Sequence, residues 1–237
     1  MGSLFLPPTI AKCRQRAHVG RFQGMFGRCQ APPIESKAMT QRIPLFPLSQ
    51  GLLPEGMLHL NIFEVRYLDL IKRCQREAIP FGVVGLVQGH EVQVPDEVPQ
   101  LHRTGTLAHL QEVDAVQPAL LQVVCQGGLR FELLDHERGP FGVWYAQVRY
   151  LPTDTAEPIP PDLQALANML GRLIADGQQA ASRQALPIFA PYRLDECGWV
   201  ANRWTELLPI PAEAKQQLLV ELDPVQRLRR IAGFVDL

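Results

Sequence analysis

Between Ile43 and about Leu151 short apolar runs alternate with turn residues, the pattern of a mostly antiparallel sheet. The segments that carry it are Ile43 to Phe46, Met57 to Ile62, Phe81 to Val87, Gly105 to Val113, Ala119 to Cys125, Leu129 to Leu134 and Val143 to Leu151. Gln126-Gly127-Gly128 predicts a tight hairpin between two of them, because adjacent glycines supply the positive φ such a turn demands. One stretch changes period. Val65, Leu68, Ile71 and Cys74 share an apolar stripe, which predicts a helix from about Glu64 to Ala78, and Pro80 prevents its continuation.

Beyond Pro158-Ile159-Pro160-Pro161 the period becomes that of helices. Leu163, Leu166, Ala167, Leu170 and Leu173 share one face; Trp199, Val200, Arg203, Trp204 and Leu207 share another. Two further helices open with proline at the first helical position, Pro211 and Pro224, the second behind Asp223 as N-cap. The expected organisation is a leader over residues 1–38, a β subdomain over 39–155 and an α-helical subdomain over 156–237.

The leader has no sustained period and mixes glycine, proline and arginine, so it is expected to be a disordered tail. Its few serines and poor amphipathic pattern fit a transit peptide badly, and Met39, just before the first strand, offers an alternative start. Charge is unevenly shared. The leader's six cations face Glu35 alone, a balance of +5, so a chain of net charge −1 leaves −6 on the body. An acidic body argues against a nucleic-acid groove, where phosphates demand clustered Lys and Arg. Five scattered cysteines without a C-x-x-C pair read as reduced thiols in a cytoplasmic protein, and every apolar run is too interrupted to cross a membrane.

Catalytic and cofactor motifs are absent from the sequence. None of the four lysines follows a glycine, which excludes a P-loop, and no two glycines stand two apart, which excludes a dinucleotide fingerprint. Ser3, Ser36, Ser49 and Ser182 lie outside any G-x-S-x-G elbow, and Ser49 reads as a turn residue after a strand. His102 and His109 are not spaced to converge on a metal; His59 reads as solvent-facing, and Asp195-Glu196 as the start of a helix. No cofactor and no metal are expected. Glu132, Asp135 and Glu137 lie close together and read as a solvated rim.

One long, ordered run of tokens remains. Ile43-Pro44-Leu45-Phe46-Pro47-Leu48, Leu53-Pro54-Glu55-Gly56, Leu58 to Tyr67 and Phe81-Gly82-Val83-Val84 resemble the N-terminal, substrate-binding domain of Lon proteases. Gly105 to Ala108, Gly128 to Phe131, Leu207 to Ile210, Lys215 to Leu219 and Asp223 to Leu228 extend the resemblance over about residues 42–235. The family's proline between the equivalents of Glu64 and Arg66 is Val65 here.

The resemblance implies an α+β fold, a PUA-like β pseudo-barrel with one embedded helix, followed by a C-terminal helical bundle. It implies a non-enzymatic polypeptide-binding or adaptor module acting on unfolded or tagged polypeptides, with a protease or chaperone as partner. In full-length Lon proteases an ATPase and a Ser-Lys protease follow this domain; the chain ends at Leu237 before either, so a free-standing member is expected. Two alternatives stay open, a PUA-like nucleic-acid binder and a hydrolase with an unrecognised site. Phe46, Leu52, Leu60, Phe63, Phe81, Trp144 and Tyr145 form the expected peptide contact. The motif residues Pro54, Gly56, Glu64, Arg66, Tyr67, Gly82, Gly105, Arg130, Pro209, Lys215 and Pro224 are expected to hold the fold. Pro44 and Pro47 suit an edge strand, Gly56 the reversed φ of a turn, and Glu64 a helix cap.

Overall fold

Strand pairing closes the sheet on itself. In the computed structural model, which describes residues 40–94, 97–117, 119–179 and 186–235, six strands are joined in the order β2-β5-β4-β3-β1-β6, and β6 also pairs with β5. The strands are β1 Thr40–Leu48, β2 Met57–Ile62, β3 Phe81–Gln88, β4 Gln100–Gln117, β5 Leu120–Arg138 and β6 Trp144–Tyr150. β1, β3, β4, β5 and β6 therefore form a ring, and β2 hangs outside it on β5. Only the β1–β3 pair is parallel. Its crossover contains the helix α1, Val65–Glu77, which occupies the stretch its stripe predicts, although Val65, expected on that stripe, is exposed at the first turn.

Two sequence expectations fail here for physical reasons. The first is the hairpin at Gly127-Gly128: both glycines lie inside the 19-residue strand β5. Strand β5 changes partner across them, pairing with β2 from Leu121 to Gln126 and with β6 from Phe131 to Arg138. A Cβ on Gly127 would fall on the carbonyl oxygen of Leu53, and one on Gly128 would meet the His109 ring. The glycines serve close approach rather than a turn. The second is the edge position of β1, which is internal: it pairs with β6 through Thr40–Leu45 and with β3 through Leu45–Leu48. The two half-ladders overlap only at Leu45, so Pro44 and Pro47 each face a partner strand on one side and lose no shared bond on the other.

Ile43, Leu45, Val84, Leu107, Phe131, Leu133, Trp144, Ala146 and Val148 form one buried cluster of the ring. Phe131, fully buried, takes the space that Gly82 and Gly105 leave by having no side chains. On the other side, α1 lays Tyr67, Leu68, Leu70, Ile71 and Cys74 against Phe46, Phe81, Leu121, Val123 and Cys125.

The helical lobe has its own core, built on Leu166, Leu170, Val200, Trp204, Leu218, Leu228 and Ile231. Its helices are α2 Gln164–Gln179, α3 Cys197–Leu207, α4 Ala212–Val220 and α5 Pro224–Ala232. Pro224 stands at the first position of α5 behind Asp223, whose carboxylate accepts from the N–H groups of Val225 and Gln226 (2.9 and 3.1 Å). Pro211 is one residue earlier than expected, at the N-cap of α4. The described residues form one compact unit. The leader, with its expected disorder, lies outside the described residues.

A seam cleft and the residues that frame it

Buried charge joins sheet to helices. Asp154, in the segment after β6, accepts from Arg130 on β5 (2.6 Å) and from Arg227 on α5 (2.6 and 3.0 Å). Arg130 also donates to the carbonyl oxygens of Leu219 and Glu221, and Arg227 to those of Glu221 and to Asn202 Oδ1. Desolvation pushes the Arg130 guanidinium below its ordinary pKa; Asp154 opposes that shift. Gln216 of α4 adds a buried bond from Nε2 to the Thr104 carbonyl of β4 (2.9 Å).

A second arginine fixes the loop between β1 and β2. Arg203 of α3 donates to the carbonyls of Pro54 and Glu55 (2.7 Å each) and to Glu206 Oε1 (3.2 Å). Arg193 pairs with the Glu55 carboxylate. In the Pro54-Glu55-Gly56 turn the positive φ falls on Glu55 (61°), not on Gly56. Gly56 is needed for space, because a Cβ there would fall on Glu206 Oε1.

Between this loop and helices α3 and α4 opens a cleft of about 200 Å³. Leu52, Leu53, Met57, Leu58, Pro187 and Leu219 give it apolar walls; Gln50, Gln216, Lys215 and Glu206 supply the polar atoms. The Lys215 ammonium donates to the Glu206 carbonyl at the end of α3 (3.3 Å), a cation where helix carbonyls lack partners. Although the Glu206 side chain keeps 18% of its surface, Oε2 is shielded and accepts no hydrogen bond among the described residues. An unpartnered buried oxygen of this kind costs about 1–3 kcal/mol. Burial pushes the Glu206 carboxyl up to about 7, against the pull of Arg203 and Lys215. Strand β2, whose Met57 and Leu58 line the cleft, pairs with β5 alone and leaves its other edge without a strand partner among the described residues.

The expected peptide-contact residues do not converge on this cleft. Phe46, Leu52, Phe81 and Trp144 are core residues, because apolar area of that size is worth most when removed from water. Leu60 and Tyr145 are half-buried, and Phe63 alone stands out, at 59% exposure. Leu52 reaches the cleft with its neighbour Leu53. The motif residues Glu64, Arg66 and Tyr67 form a hub elsewhere. Arg66 is buried, pairs with Glu64 (3.0 Å), donates to the carbonyls of Gly142 and Glu91, and lies over the Tyr67 ring at 4.3 Å. Glu64 occupies the N-cap of α1 without capping it; its carboxylate accepts from the Gln93 N–H instead. Tyr67 stacks on Phe46 at 4.0 Å, and burial pushes its phenol up to about 12. Pro209, exposed, follows the end of α3.

Glu206 and Asp154 escaped the sequence reading. Arg203 carried a signal, since it shares the apolar face of α3 with Trp199 and Trp204. Among the described residues no group of three His, Cys, Asp or Glu converges, and no helix is long and apolar enough to cross a membrane.

The geometry thus defines a class, a closed sheet bearing a packed helical lobe with an apolar cleft at their seam. The chain belongs to the ATP-dependent protease La (LON) substrate-binding domain family, whose model matches residues 42–236. It is 28% identical to a Lon protease of Paraburkholderia phytofirmans over 219 residues, 86% of this chain and 26% of that protein. It is 27% identical to a Lon protease of Phenylobacterium zucineum over 202 residues, 81% of this chain and 24% of that one. The chain spans about a quarter of the length of these curated relatives. Among solved structures, a Lon N-terminal domain protein from Xanthomonas campestris superposes with a TM-score of 0.65 at 28% identity, covering 83% of this chain and 99% of the other.

Proposed function

We propose that this chain is a non-enzymatic polypeptide-binding module that accepts extended, largely apolar segments of unfolded or tagged proteins in the cytoplasm and presents them to a protease or chaperone. The strand ring supports reading its sheet as a pseudo-barrel of the PUA-like kind. The observation that carries the proposal is the free edge of β2 running into an apolar cleft. An extended segment can add main-chain bonds along such an edge and place side chains in the neighbouring pocket. Names support it too: the family model is a substrate-binding domain, and the relatives are Lon proteases.

Fluorescence anisotropy with a labelled, permanently unfolded protein tests the reading. Binding with a Kd on the order of tens of micromolar or tighter, little changed by moderate salt, is the expected result. Saturable RNA binding with steep salt dependence, together with no polypeptide binding, would overturn it.

A further inference from the structure

The cleft between the β1–β2 loop and helices α3 and α4 combines apolar walls with a small set of polar atoms. Its walls are aliphatic, and Glu206 is the one carboxylate among its described lining residues. Glu206 Oε1 is engaged by Arg203, whereas Oε2 has no donor. The last torsion of a glutamate is broad, so the carboxylate can turn at modest cost. Gln216 commits its Nε2 to Thr104, which leaves its Oε1, beside Gly51, as a second acceptor in the wall. Lys215, the one cation among the described lining residues, is held on the end of α3 by the Glu206 carbonyl. Glu206 Oε2 and Gln216 Oε1 are thus two acceptors without a donor among the described residues, beside the aliphatic walls of the cleft.

We propose that the cleft is a specificity pocket for one basic side chain, lysine or arginine, of an extended and otherwise apolar segment, with Glu206 as its specificity-determining residue. The proposal rests on the polypeptide-binding reading given above. The aliphatic stem packs against Leu52, Leu53, Leu58 and Leu219, and the cationic head donates to Glu206 Oε2 and Gln216 Oε1. Long basic side chains suit such a slot because stem and head differ in polarity along their length. A charged donor to a carboxylate makes a shorter and stronger bond than a neutral one.

The groups facing Glu206 set the pH dependence. Arg203 on its own helix and Lys215 from α4 favour its charged form, burial favours the neutral one, and the Glu55 carboxylate of the adjoining loop is neutralised by Arg193. A basic side chain binds the charged form, so its advantage grows as pH rises through about 7.

The test uses the full chain and four labelled peptides, identical and apolar except for a central Lys, Arg, norleucine or Glu. At pH 8 the Lys and Arg peptides are expected to bind about tenfold tighter than the norleucine peptide, with the margin shrinking at pH 6. Glu206→Gln is expected to erase the margin between the basic and the norleucine peptides. Equal affinities for Lys and norleucine in the wild type at pH 8 would overturn the proposal without needing any variant. So would a margin that survives Glu206→Gln, or tighter binding of the Glu peptide. Failure of all four peptides to bind would instead sink the polypeptide-binding reading beneath it.

Discussion

Single residues here are constrained by what must pass close to them. Gly56 carries the Glu206 carboxylate against its backbone, and a Cβ there would also come within 3.0 Å of the Leu53 carbonyl. Gly56→Ala is therefore expected to destabilise by about 1–3 kcal/mol in denaturant unfolding, through overpacking rather than backbone strain. Glu206 links stability to pH. Its folded pKa, about 7, lies above the ordinary 4.5, so the folded protein holds the proton more tightly than the unfolded chain does. That contribution is fully present below about 4.5 and is lost as pH rises through about 7. Unfolding free energies from urea titrations should fall across that window by an amount on the order of a few kcal/mol, and Glu206→Gln should flatten the fall. The thiols of Cys74, Cys125 and Cys197 are buried and pushed up by desolvation to about 11, 12 and 11. They should resist a thiol reagent at pH 8 in the folded protein and react on unfolding, as peptide mapping would report.

At the scale of elements, period was a better guide than punctuation. Helices α1, α2 and α3 stand where apolar stripes placed them, because a packed face must repeat every 3.6 residues, whereas α4 and α5 were placed by their opening prolines, the first of them one residue off. Gly127-Gly128 misled for the opposite reason: glycine marks both turns and close contacts, and one sequence does not say which. Gly127→Val should cost stability heavily, because the obstacle is the Leu53 backbone and cannot rotate away. A loop glycine of a hairpin would instead respond chiefly to its φ. The cap at Asp223 was legible from the Asp-Pro pair, and Asp223→Ala should cost about 1 kcal/mol.

For the whole molecule the decisive contact is the buried cluster of Arg130, Asp154 and Arg227, which ties ring, connecting segment and last helix together. Removing the carboxylate leaves two desolvated guanidiniums facing one another. Asp154→Ala is expected to destabilise by about 3–5 kcal/mol, measured by denaturant unfolding. If the variant instead unfolds in two steps, with the helical lobe first, the cluster is what makes strands and helices one cooperative unit. The seam cleft exists for the same reason. Two lobes clamped at that cluster and at the Arg203 carbonyl bonds leave an apolar gap beside the second clamp.

By itself the sequence determined the family, the helices and most of the strands, and most positions of the apolar faces, with Val65 and Leu173 exposed instead of buried. Those properties are periodic or local, and neighbouring residues are enough to express them. The partner switch along β5, the internal place of β1, the space that Gly56 leaves for Glu206 and the meeting of Asp154 with two distant arginines were decided only by the tertiary structure. Each depends on groups tens of residues apart becoming neighbours, and burial alone turned an ordinary glutamate into a carboxyl that titrates near neutrality.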